Sequence, residues 1–169
     1  MKVLVTAASR YGATGEIAQA IGEFLADRGF DTTVIPPEEV GTIEDYDAVV
    51  LGSGAYAGHW LEPAKELVHR SGDALAARPV WLFSSGPVGD QSKKMVQKMG
   101  EDPVDVAEIL VATKAREHRV FAGKIDRKNL SFPERAMLMA FRGLEGDFRD
   151  WAEIKAWALR IADALGSES

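Results

Sequence analysis

The chain has 169 residues, a formal net charge of −6 and no cysteine. A chain of this length fits one domain, here 1–169, whose core needs no covalent or metal staple. The missing cysteines exclude disulfides, Cys-ligated zinc, iron–sulfur clusters and thiol catalysis, and the acidic balance argues against general nucleic-acid binding.

Residues 1–10 carry an apolar run shorter than that of a signal peptide. No stretch approaches the ~18 apolar residues of a membrane span. The expectation is a cytoplasmic protein, with peripheral association at the inner membrane face left open.

Residues 2–8 form a short apolar run that reads as a buried first strand. Beyond a glycine-bearing loop, Ile17, Ala18, Ile21, Phe24 and Leu25 recur at helical spacing, and Gly29 reads as the helix stop. A second strand over 32–35 ends at Pro36-Pro37, and a third over 48–51 leads into Gly52-Ser53-Gly54. A helix starts near Pro63 and carries Leu67 and Val68. The fourth strand, 80–83, precedes Ser84-Ser85-Gly86-Pro87, helical segments occupy 93–113, and a short fifth strand covers 119–121. The last helix places Ile154, Trp157, Ala158, Ile161, Ala162 and Leu165 on one face, with Asp150 and Glu153 as a capping pair at its start. Trp151 and Trp157 both read as core.

Strands and helices alternate five times, and most strands are apolar without a period of two, as when helices cover both faces. The expected fold is α/β, a doubly wound three-layer sandwich with a five-stranded parallel sheet in the order 2-1-3-4-5. The segment 122–147 fits the alternation poorly and reads as an insertion before the last helix.

In such a sheet, ligands sit beyond the carboxyl ends of the strands. The first of these ends is Ser9-Arg10-Tyr11-Gly12-Ala13-Thr14, where two hydroxyl residues flank a glycine and a helix begins at once. Gly12 lets the backbone turn, and the free N–H groups and helix dipole favour an anion. Ser9 and Thr14 can add hydrogen bonds, or either can simply cap the helix. Lysine is missing where a P-loop needs it, so a single terminal phosphate suits the loop better than a triphosphate. The run Gly52-Ser53-Gly54-Ala55-Tyr56-Ala57 matches a dinucleotide fingerprint, but it follows the third strand rather than the first.

The pattern Ser9-x-x-Gly12-x-Thr14 after the first strand resembles the phosphate loop of flavodoxins. The resemblance covers nearly the whole chain and implies bound FMN. It also implies that two further loops meet the flavin ring: one with Ser53, Gly54, Ala55, Tyr56 and Trp60, the other with Ser84, Ser85, Gly86, Pro87, Val88, Gly89 and Asp90. Tyr56 and Trp60 can cover one flavin face. His59 is a candidate to donate to the ring or shuttle a proton. His69 and His118 read as structural or surface residues.

The runs 120–126 and 146–151 resemble the branch of flavodoxin-domain proteins that includes menaquinone-dependent protoporphyrinogen dehydrogenases. This implies oxidation of a flat porphyrinogen with transfer of electrons to a quinone. A noncatalytic electron-transfer module serving a redox partner protein and an NAD(P)H:quinone reductase stay as alternatives. Between 114 and 135 seven basic residues stand against three acidic ones. Arg127 and Arg135 of this segment are candidates to meet substrate carboxylates, against the alternative of a solvated basic surface. No metal site is expected.

Overall fold

The computed structural model describes residues 1–10, 12–56, 59–86, 105–125, 146–147 and 149–167. The elements run β1 (Lys2–Ala8), α1 (Ala13–Asp27), β2 (Asp31–Val34), 3-10 turns at Pro37–Glu39 and Ile43–Asp45, β3 (Ala48–Tyr56), β4 (His59–Trp60) and α2 (Glu62–Ala76). They continue with β5 (Val80–Gly86), α3 (Val106–Thr113), β6 (Glu117–Ala122), β7 (Lys124–Ile125), β8 (Gly146–Asp147) and α4 (Trp151–Gly166).

Five parallel strands form the sheet in the order β2-β1-β3-β5-β6. Taken in chain order, these five strands give the expected 2-1-3-4-5. β4 folds back antiparallel on the end of β3, pairing Ala55 with Trp60 and Tyr56 with His59. β7 and β8 form a separate two-stranded ribbon.

Helices cover both faces, which explains the unalternating apolar strands. On one face Val3, Val5, Val50 and Phe83 meet Ile17, Ile21 and Leu25 of α1 and Ile154, Trp157, Ile161 and Leu165 of α4. On the other, Leu4, Val49, Leu51 and Leu82 meet Leu67, Val68 and Leu75 of α2 and Val106 and Ile109 of α3.

The turns follow the expected chemistry. Gly29 ends α1 at φ 94, a conformation that costs a residue with a Cβ. Pro63 sits in the first turn of α2. Asp150 caps α4, its side chain accepting the Glu153 N–H at 3.1 Å.

Trp151 corrects the sequence reading: it is 41% exposed rather than core. It occupies the first position of α4, before the helix meets the sheet, and the Arg149 guanidinium lies 4.7 Å from its ring centroid.

Candidate functional site

Parallel register puts the ends of the central strands in one row. Ala8 stands beside Ser53, Ser53 beside Ser84, and Ser84 beside Val120. The segments leaving β1, β3 and β5 therefore depart from the same edge of the sheet. This is the edge at which doubly wound folds bind ligands.

At the first of these ends, Gly12 has φ 93 and is the N-cap of α1. Its N–H donates to Ser9 Oγ at 3.0 Å, so the Ser9 hydroxyl helps to shape the loop. The first intrahelical bond runs from the Glu16 N–H to the Gly12 carbonyl at 2.9 Å. The N–H groups of Ala13, Thr14 and Gly15 thus precede any i−4 acceptor within the helix. Such amides at the positive end of a helix dipole fit a phosphate monoester. Thr14 is buried at this point, while Arg10 is exposed. A cleft of about 230 Å³ borders the loop, lined by Ser9, Gly15, Ile35, Pro36, Leu61 and Pro63 among others.

At the second end, residues 52–56 continue β3 instead of turning into a helix. A dinucleotide fingerprint needs a strand-to-helix turn, so this arrangement goes against that use of the glycines. Gly52 has another role: a Cβ there would lie 2.3 Å from the Phe83 ring.

The family model described as "Flavodoxin domain" matches residues 4–151. The chain belongs to the flavodoxin-domain family. A relative from Escherichia coli (strain K12), named protoporphyrinogen IX dehydrogenase [quinone], is 26% identical over 175 residues, covering 96% of this chain and 95% of the relative. Among solved structures, a flavodoxin from the domain Archaea aligns with a TM-score of 0.64 at 20% identity, covering 98% of this chain and 99% of that one. The Streptococcus pneumonia TIGR4 flavodoxin aligns over the whole of both chains with a TM-score of 0.59 at 17% identity.

Within this flavodoxin domain, several hydroxyls at the edge are engaged by the protein itself. Ser53 Oγ donates to the Gly54 carbonyl at 2.8 Å and accepts the Leu61 N–H at 2.9 Å. Ser84 Oγ accepts the Trp60 indole N–H at 2.7 Å and lies 2.7 Å from His118 Nε2. Trp60 is 2% exposed, so its ring is core packing in this structure. Ser85 and Gly86 end β5 in buried positions. Gly54 and Ala55 lie on the last part of β3, and Tyr56 backbone-pairs with His59.

His59 is exposed on the β3–β4 hairpin, with Nδ1 3.4 Å from Asp105 Oδ2. The same carboxylate accepts the Trp60 N–H at 3.0 Å and lies 3.8 Å from Lys65 Nζ. Asp105, missed by the sequence reading, therefore ties the hairpin to the starts of α2 and α3. Tyr11, Pro87, Val88, Gly89, Asp90, Arg127 and Arg135 lie outside the described residues. Of the basic segment, Arg116 lies 5.1 Å from the Trp81 ring centroid, and Arg119 is 3.6 Å from Glu117 and 3.7 Å from Glu153. Among the described residues no cluster of three or more His, Cys, Asp or Glu side chains could hold a metal ion. No described helix is long and apolar enough to cross a membrane.

The sequence suggests a capping and ion-pair knot of Asp147, Arg149 and Asp150, and such a network lies behind the first loop. Arg149 donates from Nε and Nη2 to the two oxygens of Asp147 at 2.8 and 2.7 Å. From Nη1 it donates to Glu16 Oε1 at 3.1 Å and to the Ala13 carbonyl at 3.3 Å. Its side chain is only 5% exposed. The guanidinium hydrogen bonds hold the Asp147 carboxyl down from 3.8 to about 2.

A depressed carboxyl pKa means the native state binds fewer protons than the unfolded one. Its contribution is fully present above the unfolded value and lost as pH falls through about 2. With Asp147 41% exposed, solvent screening reduces the effect to about 1 kcal/mol. Asp147→Asn is expected to lower the unfolding free energy measured in urea by that amount at neutral pH and to leave it nearly unchanged near pH 2. Equal losses at both pH values would count against an ionic contribution.

Proposed function

We propose that this chain binds FMN and uses it to dehydrogenate protoporphyrinogen, passing the electrons to a quinone. The observation that carries the reading is the row of strand ends at one sheet edge, headed by the Gly12 turn and the amides of α1. The substrate and acceptor are those in the name of the E. coli relative, whose match runs nearly end to end.

On this reading the phosphate rests on the segment from Ser9 to Thr14, with Arg10 and Tyr11 at its rim. The ring lies between the segments after β3 and β5, including Pro87, Val88, Gly89 and Asp90. Tyr56 is the stacking ring, because Trp60 is packed inside the protein. FMN supplies the redox chemistry when bound. The protein orients it, and His59 stands ready to move a proton at the exposed hairpin. Arg127 and Arg135 meet the carboxylates of the porphyrinogen. Peripheral association with the inner membrane face suits a quinone acceptor.

The first test is binding. Apoprotein titrated with FMN and with riboflavin, followed by flavin fluorescence, should strongly prefer FMN. Thr14→Val removes one hydrogen bond to a charged group, worth about 1.5–3 kcal/mol, so FMN affinity should fall roughly ten- to a hundredfold. Equal binding of FMN and riboflavin by the wild type would sink the phosphate assignment. The second test is steady-state turnover of protoporphyrinogen with a soluble quinone. An FMN-loaded wild type without turnover would be a carrier rather than this enzyme. In the active enzyme, the double variant Arg127→Glu/Arg135→Glu should raise KM while sparing FMN affinity.

A further inference from the structure

The first turn of α1 is held from outside by a residue more than a hundred positions away in sequence. Arg149 Nη1 donates to the Ala13 carbonyl. That carbonyl and the Thr14 N–H belong to one planar peptide unit. Fixing the oxygen fixes the direction of the N–H, which points the opposite way, toward the Gly12 turn. The same guanidinium nitrogen engages Glu16, so the first turn is gripped at two points. The other side of the fork is bound bidentately by Asp147, which β8 pairs with Lys124 of β7. Arg149 thus braces the peptide that presents the Thr14 amide against a ribbon outside the main sheet. Its burial, and the rigidity of a planar fork held by hydrogen bonds at Nε, Nη1 and Nη2, make the brace stiff.

We propose that Arg149 is a positioning residue for the phosphate loop, holding the Ala13–Thr14 peptide in the orientation that binds the terminal phosphate of the flavin. The proposal rests on the FMN reading given above. It separates Arg149 from a residue that only stabilises the fold. A general stabiliser would affect FMN and riboflavin alike, whereas a brace on this one peptide affects only the ligand that carries a phosphate. Lysine keeps the charge but cannot supply the fork, so it should restore only part of the function.

The test titrates apo wild type, Arg149→Gln and Arg149→Lys with FMN and with riboflavin, alongside thermal unfolding of each. The expected result is about a tenfold loss of FMN affinity in Arg149→Gln, a smaller loss in Arg149→Lys, and riboflavin affinity within twofold of wild type in both. Parallel losses for the two flavins, or a lower melting temperature with FMN affinity kept, would assign Arg149 to the fold alone. Should Arg149→Gln not fold, Glu16→Gln loosens the same grip from the exposed side. It should weaken FMN two- to threefold and leave riboflavin unchanged; no selective loss there overturns the proposal. A wild type that does not prefer FMN sinks the flavin reading itself, whereas a preference that survives in Arg149→Gln sinks only the role of Arg149.

Discussion

Trp157→Ala is expected to destabilise the protein by about 3–5 kcal/mol, the range for truncating a large buried aromatic residue. Trp157 is among the largest fully buried side chains. It stands edge-on to Phe83 and Phe121, with ring centroids 6.1 and 5.4 Å away. Those two rings belong to the adjacent strands β5 and β6, so the indole is where α4 is seated on the sheet. Its N–H also donates to Glu117 Oε1 at 3.1 Å. Trp157→Phe keeps a ring and loses that hydrogen bond to a partly exposed carboxylate, so it should cost much less. The measurement is the urea midpoint of each variant at matched slope. A loss below about 1 kcal/mol for the alanine variant would mean that the site collapses around the missing ring and that α4 is not anchored there.

Ser84→Ala should destabilise by roughly 2–4 kcal/mol although only an oxygen is removed. The indole N–H of Trp60 can only donate, so Ser84 Oγ must accept it. The same hydroxyl also hydrogen-bonds His118 Nε2 at 2.7 Å, with the direction set by the imidazole tautomer. Alanine deprives both the buried donor and the ring nitrogen of their shared partner, at about 1–3 kcal/mol for each group left unpaired. Trp60→Phe removes the orphaned donor. A double-mutant cycle between positions 60 and 84 should therefore show the double variant more stable than the sum of the two single losses implies. Strict additivity would show that water or a rearranged ring satisfies these groups.

The strand order was legible because each central strand is an apolar run of its own, bounded by glycine, proline or serine. The length of the strands was less so. β3 and β5 run on to Tyr56 and Gly86 through glycine-rich stretches that read locally as loops. Gly52 is tolerated in β3 because its missing side chain makes room for the Phe83 ring, a tertiary reason that no local propensity carries. The Gly12 turn was visible because a positive φ beside a helix start selects a small residue type. Trp151 misled because composition says core while its place at the tip of α4 says otherwise. Asp105, and the reach of Arg149 to the first turn of α1, were invisible for a simpler reason. The partners concerned lie far away in sequence, and a charge carries no mark of the distant backbone group it will hold.

The two cores have different schedules during synthesis. Among the described residues, the core beneath α2 and α3 draws on nothing beyond Ala115, so it can close while the rest of the chain is still being made. The opposite core needs Ile154, Trp157, Ile161 and Leu165, and α1 rests directly against α4. A nascent chain emerging in order therefore carries a sheet finished on one side and greasy on the other until its final helix leaves the ribosome. That interval is when a chaperone has most to hold, and when a truncated product would be most prone to stick to its neighbours.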